Sequence, residues 1–164
     1  MTLLEIYEYF EAYAVANLEL KHVPDDSRNQ AFIAALSEDE AADELIRSCQ
    51  RELIMVMLPY EKRMLPVTME NFVWGKTIVF LVIEKLSKPN GKDIIRAQSR
   101  CEQIADDFIT KIIADRTEKL GTVELSSFAM QPVGPISDFR YGQICLFNLE
   151  DYFEHWVKPE RWSA

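Results

Sequence analysis

The sequence predicts an α+β fold in which a mainly antiparallel sheet of about four strands packs against a long helix, with an N-terminal helix and a helical insertion. Two observations predict it. Asn71–Leu86 holds the densest apolar run of β type in the chain, and Asp93–Lys119 is the longest regular helical pattern. A strand that leads into a long covering helix is half of a two-layer fold, to which the other segments can add strands and outer helices.

Length and composition indicate one globular domain. The chain has 164 residues, of which 48% are hydrophobic and 27% are charged, so it can bury a core of its own. The sequence contains no internal repeat, low-complexity run or linker. We therefore expect a single domain over residues 1–164.

Charge and hydropathy argue against two classes of partner. The net charge is −9, whereas binding to nucleic-acid phosphates or anionic lipid needs a surplus of basic residues. The first ten residues carry acidic side chains where a signal peptide has basic ones. The longest apolar runs, Leu53–Leu58 and Ile78–Ile83, are too short to span a bilayer. We expect a soluble cytoplasmic protein that binds neither nucleic acid nor membrane.

The N-terminal segment predicts a helix over Thr2–Leu20. Thr2 and Glu5 have the spacing of a capping box, in which each side chain bonds the other residue's backbone N–H. An apolar and aromatic stripe follows at helical spacing, and we interpret it as core and not as a ligand-stacking surface. The stripe comprises Leu3, Ile6, Phe10, Tyr13, Ala14 and Asn17.

Residues 21–51 predict the helical insertion. His22–Asp26 forms a turn because Pro24 disfavours helix at the residue before it. Ser27–Leu36 is expected to be a short helix with Phe32, Ile33 and Leu36 inward. Ser37–Glu40 has the spacing of a second capping box and would open a helix that continues to Cys49.

The next segments predict two strands of the sheet. Leu53–Leu58 is a short apolar run that ends at Pro59, which is typical of a buried strand, and Tyr60–Met69 is expected to be a loop or an irregular edge.

The second strand is predicted over Asn71–Leu86, where two sets of side chains alternate. One set is Phe72, Trp74, Ile78, Phe80 and Val82, and the other is Val73, Thr77, Val79, Leu81 and Ile83. Both sets are apolar from Ile78 to Ile83, so this strand needs cover on both faces. The long helix can cover one face; the first helix, the insertion or a neighbouring subunit must cover the other. Gly75 marks either a bulge or a close backbone approach.

The last third of the chain predicts the long helix and a second pair of strands. Asn90 is a plausible N-cap of the helix. Val123–Val133 and Phe139–Leu149 alternate as strands, and Pro132–Asp138 between them is expected to be a loop or a bent edge, because proline cannot donate to a ladder. Residues 150–164 form an aromatic tail, whose Trp156 and Trp162 are expected to pack on the body or on a partner.

The side chains that could carry chemistry form no recognised site. Glu102 and Asp106 lie one helical turn apart beside Asp107, which we interpret as a solvated acidic face partly neutralised by Arg100 and Lys111. His22 and His155 have no nucleophile placed near them by the sequence. The three cysteines, Cys49, Cys101 and Cys145, lie apart at apolar positions, which predicts reduced, buried thiols and neither a disulfide nor a zinc site. We predict no catalytic, cofactor-binding or metal-binding residue and no cofactor.

The order of the predicted elements resembles that of the small tail-terminator and tail-completion proteins of long-tailed bacteriophages and prophages. The similarity covers roughly Leu53–Leu149, with Thr2–Leu20 as the first helix. It is carried by LIMVML, WGKTIVFLVIEKL, DIIRAQSRCEQIADDFITKI, and the turn Asp138–Gly142 leading into QICLFNL. The resemblance implies a sheet backed by helices in a non-enzymatic subunit that forms a homo-oligomeric ring and contacts other tail or head-joining proteins.

Two other functions are compatible with the sequence. A small ligand-binding or regulatory α+β domain would line a pocket with the aromatic first helix and the tail. An acidic decoy that mimics nucleic acid would align its acidic residues in rows, whereas here the charges are spread over all predicted elements. The structural subunit is therefore the first expectation and the decoy the last.

Overall fold

A computed structural model describes residues 2–35, 40–66, 72–116, 120 and 122–152. Within these ranges the chain is an α+β protein, as predicted, and its sheet packs against helices. The elements in chain order are α1 (Leu3–Ala16), β1 (Phe32–Ala34), α2 (Glu40–Ser48), β2 (Leu53–Met57), β3 (Glu61–Pro66), β4 (Phe72–Lys85), α3 (Gly91–Asp115), β5 (Thr122–Ile136) and β6 (Arg140–Tyr152).

The sheet is larger and more varied than the sequence predicts. Over the described residues it has six strands in the order β1-β2-β4-β6-β5, and β3 pairs with β4 off this path. The β1–β2 pair is parallel and the other pairs are antiparallel. The prediction of about four mainly antiparallel strands is therefore wrong in number and in type, because β1 and β3 were expected to be a helix and a loop or irregular edge.

Strand β1 replaces the short helix predicted over Ser27–Leu36. Phe32 and Ile33 are both buried, but they belong to the two different cores on opposite faces of the sheet. This alternation is that of a strand, and it is fixed by parallel pairing with β2, in which Phe32 lies opposite Met55. A short apolar run suits either a helix or a strand by itself, so the available edge of β2 decides the outcome. Among the described residues of 21–51, the helical part is Glu40–Ser48, whereas Leu36 and residues 37–39 of the predicted second capping box lie outside the described ranges.

Strands β2 and β3 pair one after the other with the same side of β4, and the pairing is interrupted at Pro59. Met57 lies opposite Phe80 and Glu61 lies opposite Thr77, so the β2–β3 side holds one more residue than β4 over this interval. An extra residue of this kind is a β-bulge, and proline is tolerated there because the ladder lacks a donor at that point. The predicted irregular edge is thus a strand as far as Pro66, and residues 67–69 lie outside the described ranges.

Strand β4 separates two cores, as its alternation predicts. Ile78, Phe80 and Val82 point to the helical face, where buried residues of α1 and α3 cover them. Leu81 and Ile83 point to the second face, where Ile46 of α2 and Cys49 join them. The first helix therefore shares a face with the long helix, and the insertion supplies the cover for this part of the second face.

The two large helices are capped as predicted, but α1 is shorter than expected. Thr2 and Glu5 form both bonds of the capping box, and the Asn90 side chain accepts from two backbone N–H groups at the start of α3. Helix α1 ends at Ala16 because the Asn17 side chain accepts from the N–H groups of Glu19 and Leu20, which makes a turn.

The last two strands run further than the sequence predicts. Strand β5 passes through Pro132 and Pro135 to Ile136, with register shifts against β6 and a cis bond between Gly134 and Pro135. It lies at the edge of the sheet, where missing N–H donors are tolerated, so the bent-edge alternative is the observed one. Strand β6 continues to Tyr152, so residues 150–152 of the predicted tail belong to the sheet. Residues 153–164, including Trp156 and Trp162, lie outside the described ranges.

The two glycines Gly75 and Gly142 differ in what surrounds them in the sheet. A Cβ at Gly75 would lie 2.5 Å from the side-chain atom Leu65 Cδ1 but 3.7 Å from the Arg63 carbonyl oxygen, which is an ordinary contact. Strand β4 also keeps its register there with both neighbours, so Gly75 marks neither a bulge nor a close backbone approach. A Cβ at Gly142 would overlap the backbone carbonyl oxygen of Val82 on the neighbouring strand. Gly142 is thus required by the pairing of β4 with β6.

Arg140 ties the insertion to the sheet. Its side chain is fully buried and donates to the carbonyl oxygens of Glu52 (2.8 Å), Cys49 (3.1 Å) and Arg51 (3.1 Å). Burial lowers the pKa of the guanidinium. The connection between α2 and β2 is held in this way by the first residue of β6.

Candidate interaction surface

The acidic residues singled out in the sequence lie on the solvent side of α3. Glu102, Asp106 and Asp107 are exposed. Over the described part of the chain, no three His, Cys, Asp or Glu residues are grouped so that they could hold a metal ion. The three carboxylates thus form a surface feature of the helix.

The basic residues expected to neutralise this face bind elsewhere. Arg100 donates to Glu19 (2.8 Å) and Glu84 (2.9 Å), and Lys111 pairs with Asp115. The prediction that Arg100 and Lys111 offset the acidic face of α3 is therefore wrong. Arg100 instead connects the turn after α1, the end of β4 and α3.

The cysteines are free and buried, as predicted. Burial raises the pKa of Cys101 and of Cys145 to about 12, and it also raises the pKa of Cys49. The Cys49 thiol donates to the carbonyl oxygen of Gln30 (2.9 Å). All three thiols are held in their protonated, unreactive form at neutral pH.

A polar pocket surrounds His22, whereas His155 lies outside the described ranges. The His22 side chain is only 3% exposed. Its Nδ1 accepts from the backbone N–H of Ala31 (3.1 Å), so the ring proton sits on Nε2. Nε2 has no hydrogen-bond partner among the described residues and lies 3.7 Å from Glu11 Oε1.

An apolar concave surface borders this pocket, and we call it the α1–β1 groove. It has a volume of about 660 Å³ and is almost entirely apolar. Leu3 and Leu4 in the first turn of α1 border it and are 46% and 62% exposed. The groove is lined by Leu3, Leu4, Tyr7, Ala34, Ala35, Met57, Pro59, Tyr60 and Lys62.

The groove arises where the edge of the sheet changes strand. Strand β1 ends at Ala34, β2 gives way to β3 at the Pro59 bulge, and the first turn of α1 borders the groove together with both of these points. Leu3 belongs to the predicted core stripe of α1 but is half exposed for this reason. Deeper in the same stripe, Ile6 and Phe10 are buried. The polar end of Lys62 is turned to the Trp74 ring, 4.2 Å from its centroid.

The groove continues across Tyr7 into the second cavity, which we call the acidic pocket. Its volume is about 280 Å³. The Tyr7 hydroxyl donates to Glu11 Oε1 (2.8 Å), and the Tyr7 ring packs on Phe32 with centroids 5.3 Å apart. The acidic pocket is lined by Tyr7, Glu11, His22, Pro24, Asp25, Asp26, Ser27, Gln30 and Phe32.

Negative charge dominates the acidic pocket. Three carboxylates line it, and no lysine or arginine is among its described lining residues. Burial raises the pKa of Tyr7 to about 12, with further contributions from its hydrogen bond to Glu11 and from the charges of Glu11 and Asp25. Bonds from Asn29 and from the Arg28 N–H lower the pKa of Asp26 and keep it ionised.

Comparisons with known proteins do not place the chain in a family. No protein-family model matches it, and no curated protein matches its sequence. Within the described ranges, none of the helices has the length and apolar character needed to cross a bilayer. The proposals below therefore depend on the geometry of the groove and the pocket.

Proposed function

We propose that the chain is a non-enzymatic structural subunit that associates with further copies of itself, and that it resembles phage tail-terminator or tail-completion proteins in joining neighbouring virion proteins. The observation that carries the proposal is the α1–β1 groove. The groove is concave and almost entirely apolar, and a contiguous apolar surface of this kind offers a site at which another chain can bury its own apolar side chains.

The energetics of the groove favour burial against another chain. Leu3 and Leu4 are adjacent and exposed next to the ring of Tyr7. Fully burying one leucine side chain contributes roughly 1.5–3 kcal/mol, so a partner surface over both would gain several times the thermal energy. The resemblance to the tail proteins depends on the order of the elements α1, β2, β4, α3, β5 and β6. The same element order supports a ring-forming subunit.

Sedimentation velocity of the full chain over a concentration series tests self-association. We expect the wild type to form oligomers of ring size and Leu4→Asp to be monomeric, because the new carboxylate would be buried without a partner. Leu18→Asp is the matched control, since Leu18 is 84% exposed and does not line the groove. A wild type that stays monomeric, or a Leu18→Asp variant as defective as Leu4→Asp, would contradict the proposal.

The virion part of the proposal has its own test. We expect genes for capsid, tail-tube and tape-measure proteins beside the gene for this chain. A metabolic operon at that position would contradict a role in tail assembly, even if the chain oligomerises.

A small ligand-binding domain is the second candidate, because about 660 Å³ is within the range of ligand pockets. Such pockets usually present several polar groups that orient the ligand. The α1–β1 groove offers few, since Lys62 is turned to Trp74. A thermal-shift screen of small apolar molecules distinguishes the candidates: stabilisation of the wild type that Leu4→Asp abolishes, without any oligomer, would favour the ligand-binding domain.

A further inference from the structure

We infer that the acidic pocket is the receptor for a lysine or arginine side chain of a second copy of this chain, and that copies associate head to tail. The inference rests on the proposed function, because it names the partner and the chemistry of the surface beside the groove. The groove and the pocket meet at Tyr7, so one partner segment can place apolar side chains in the first and a basic one in the second.

The pocket has the composition of a receptor for an organic cation. Glu11, Asp25 and Asp26 supply negative charge, and the rings of Tyr7 and Phe32 supply an aromatic wall. A guanidinium or ammonium group is stabilised both by carboxylates and by the faces of aromatic rings.

The carboxylate of Glu11 is held in position before any ligand arrives. The Tyr7 hydroxyl donates to Glu11 Oε1, and the unpartnered Nε2–H of the buried His22 lies 3.7 Å from the same oxygen. This arrangement engages one oxygen of the carboxylate from within the protein and leaves Oε2 for a donor in the pocket. Preorganised acceptors bind tightly because little rotamer freedom is lost on association.

A metal ion fits the pocket less well than an organic cation. The Nδ1 of His22 is occupied by the Ala31 N–H, and Nε2 carries the proton, so neither nitrogen can act as a ligand. The described carboxylates also fail to converge on one point with the spacing that a metal needs. A larger cation with several N–H donors can contact carboxylates that stand apart.

The first turns of α3 carry a surface complementary to the groove and pocket, and we call it the α3 basic surface. Lys88, Lys92 and Arg96 are exposed, and so is the apolar side chain of Ile95. Arg96 is loosely paired with Asp93 at 3.8 Å, and Arg100 one turn further is engaged by two carboxylates. The α3 basic surface thus combines apolar and basic groups, whereas the α1–β1 groove and the acidic pocket combine apolar and acidic groups.

The two surfaces cannot meet within one copy. Tyr9 and Tyr13 face α3, since Tyr9 stacks on Phe108 and the Tyr13 hydroxyl donates to the Ile104 carbonyl oxygen. Tyr7 and Glu11 face β1 and the turn that follows α1. Helix α1 therefore stands between the acidic pocket and α3. Because the two surfaces differ, their contact is heterologous, and repeated contacts of this type generate rings when the rotation closes.

Two charge variants test the inference by complementation. Glu11→Gln/Asp25→Asn removes the receptor, and Lys92→Glu/Arg96→Glu removes the basic surface; each alone should weaken self-association about tenfold or more. Glu102→Gln/Asp107→Asn is the matched control, because it removes two charges from α3 outside the pocket, and it should associate like the wild type. An equimolar mixture of the two charge variants should give a complex of two chains and nothing larger, since one intact contact remains.

The outcomes separate this inference from the proposed function. A monomeric wild type would overturn both. A wild type that oligomerises through Leu4 while both charge variants associate normally would overturn the head-to-tail contact alone. Raising NaCl from about 0.05 to 0.5 M tests the same contact without any substitution: we expect weaker association, because exposed charges are screened, and unchanged association would overturn the inference.

Discussion

At the level of single residues, a substitution at Gly142 gives the most specific test of the fold. Gly142→Ala should destabilise the protein by several kcal/mol or prevent folding, because its Cβ would overlap the Val82 carbonyl in the middle of the sheet. Gly91→Ala is the matched control: nothing lies within 4 Å of a Cβ there, and the residue opens α3. It should stabilise by about 0.4–1 kcal/mol. Urea denaturation of the three proteins measures the difference, and equal effects would contradict the account.

The buried thiols predict a loss of stability at alkaline pH. An unfolded cysteine ionises near pH 8.5, whereas Cys101 and Cys145 in the folded protein have pKa values of about 12. The folded state therefore holds protons that the unfolded state releases, so the free energy of unfolding falls as pH rises from about 8.5 towards 12.

Urea denaturation at pH 7, 8.5 and 10 checks this sign. Cys101→Ala/Cys145→Ala is the control and should be less stable at pH 7 but should lose less stability between pH 8.5 and 10. Thiol reagents should label the folded wild type slowly at pH 8. A wild type whose stability rises over this interval would contradict the burial of the thiols.

At the level of the elements, the hydrogen bonds of Arg140 are the most informative, because they join β6 to the connection between α2 and β2. Arg140→Met should cost roughly 3 kcal/mol, because the buried carbonyls of Cys49, Arg51 and Glu52 would lose their donor. Arg47→Met on α2 is the matched control: that side chain is exposed and its partner among the described residues is Asp43, so its loss should cost less than about 1 kcal/mol. Thermal melts of both variants make the comparison, and an equally mild effect of Arg140→Met would show that the insertion is held by other contacts.

The elements differ in how far sequence patterns alone define them. Helices α1 and α3 and strand β4 were predicted, because capping side chains and apolar periodicity act over a few neighbouring residues. Strand β1 was predicted as a helix, since Ala31–Ala35 is short and apolar and its conformation depends on pairing with Met55–Met57. Strand β3 was not predicted as a regular strand for the same reason, since its conformation depends on pairing with β4. Its charges and the proline bulge before it are tolerated because β3 lies at an edge of the sheet.

For the whole molecule, self-association predicts that thermal stability depends on protein concentration. Partners that bind only the folded state raise its apparent stability by mass action. The Tm of the wild type should therefore rise with concentration, whereas the Tm of Leu4→Asp should not. Differential scanning calorimetry over a hundredfold range of about 1–100 μM measures this, with Leu18→Asp expected to follow the wild type. A Tm independent of concentration would argue against association through the groove.

The candidate surface itself could be predicted only in fragments. His22, Leu3 and Tyr7 stand out in the sequence as a turn residue, a core residue and a flanking aromatic residue. Nothing in their spacing shows that the first turn of α1 borders a groove together with the ends of β1 and β2, or that the turn after α1 places His22 beside Glu11. The groove and the acidic pocket exist because distant segments meet.

Local chemistry in the chain was sufficient for the α+β class, for the capped helices and for the two apolar faces of β4, because those features depend on neighbouring residues. The tertiary structure alone decided the number and direction of the strands, the burial of Arg140, and the meeting of an apolar groove with an acidic pocket at Tyr7. The physical reason is that strand pairing and cavity shape are set by contacts between residues far apart in sequence, whose free energies no local pattern contains.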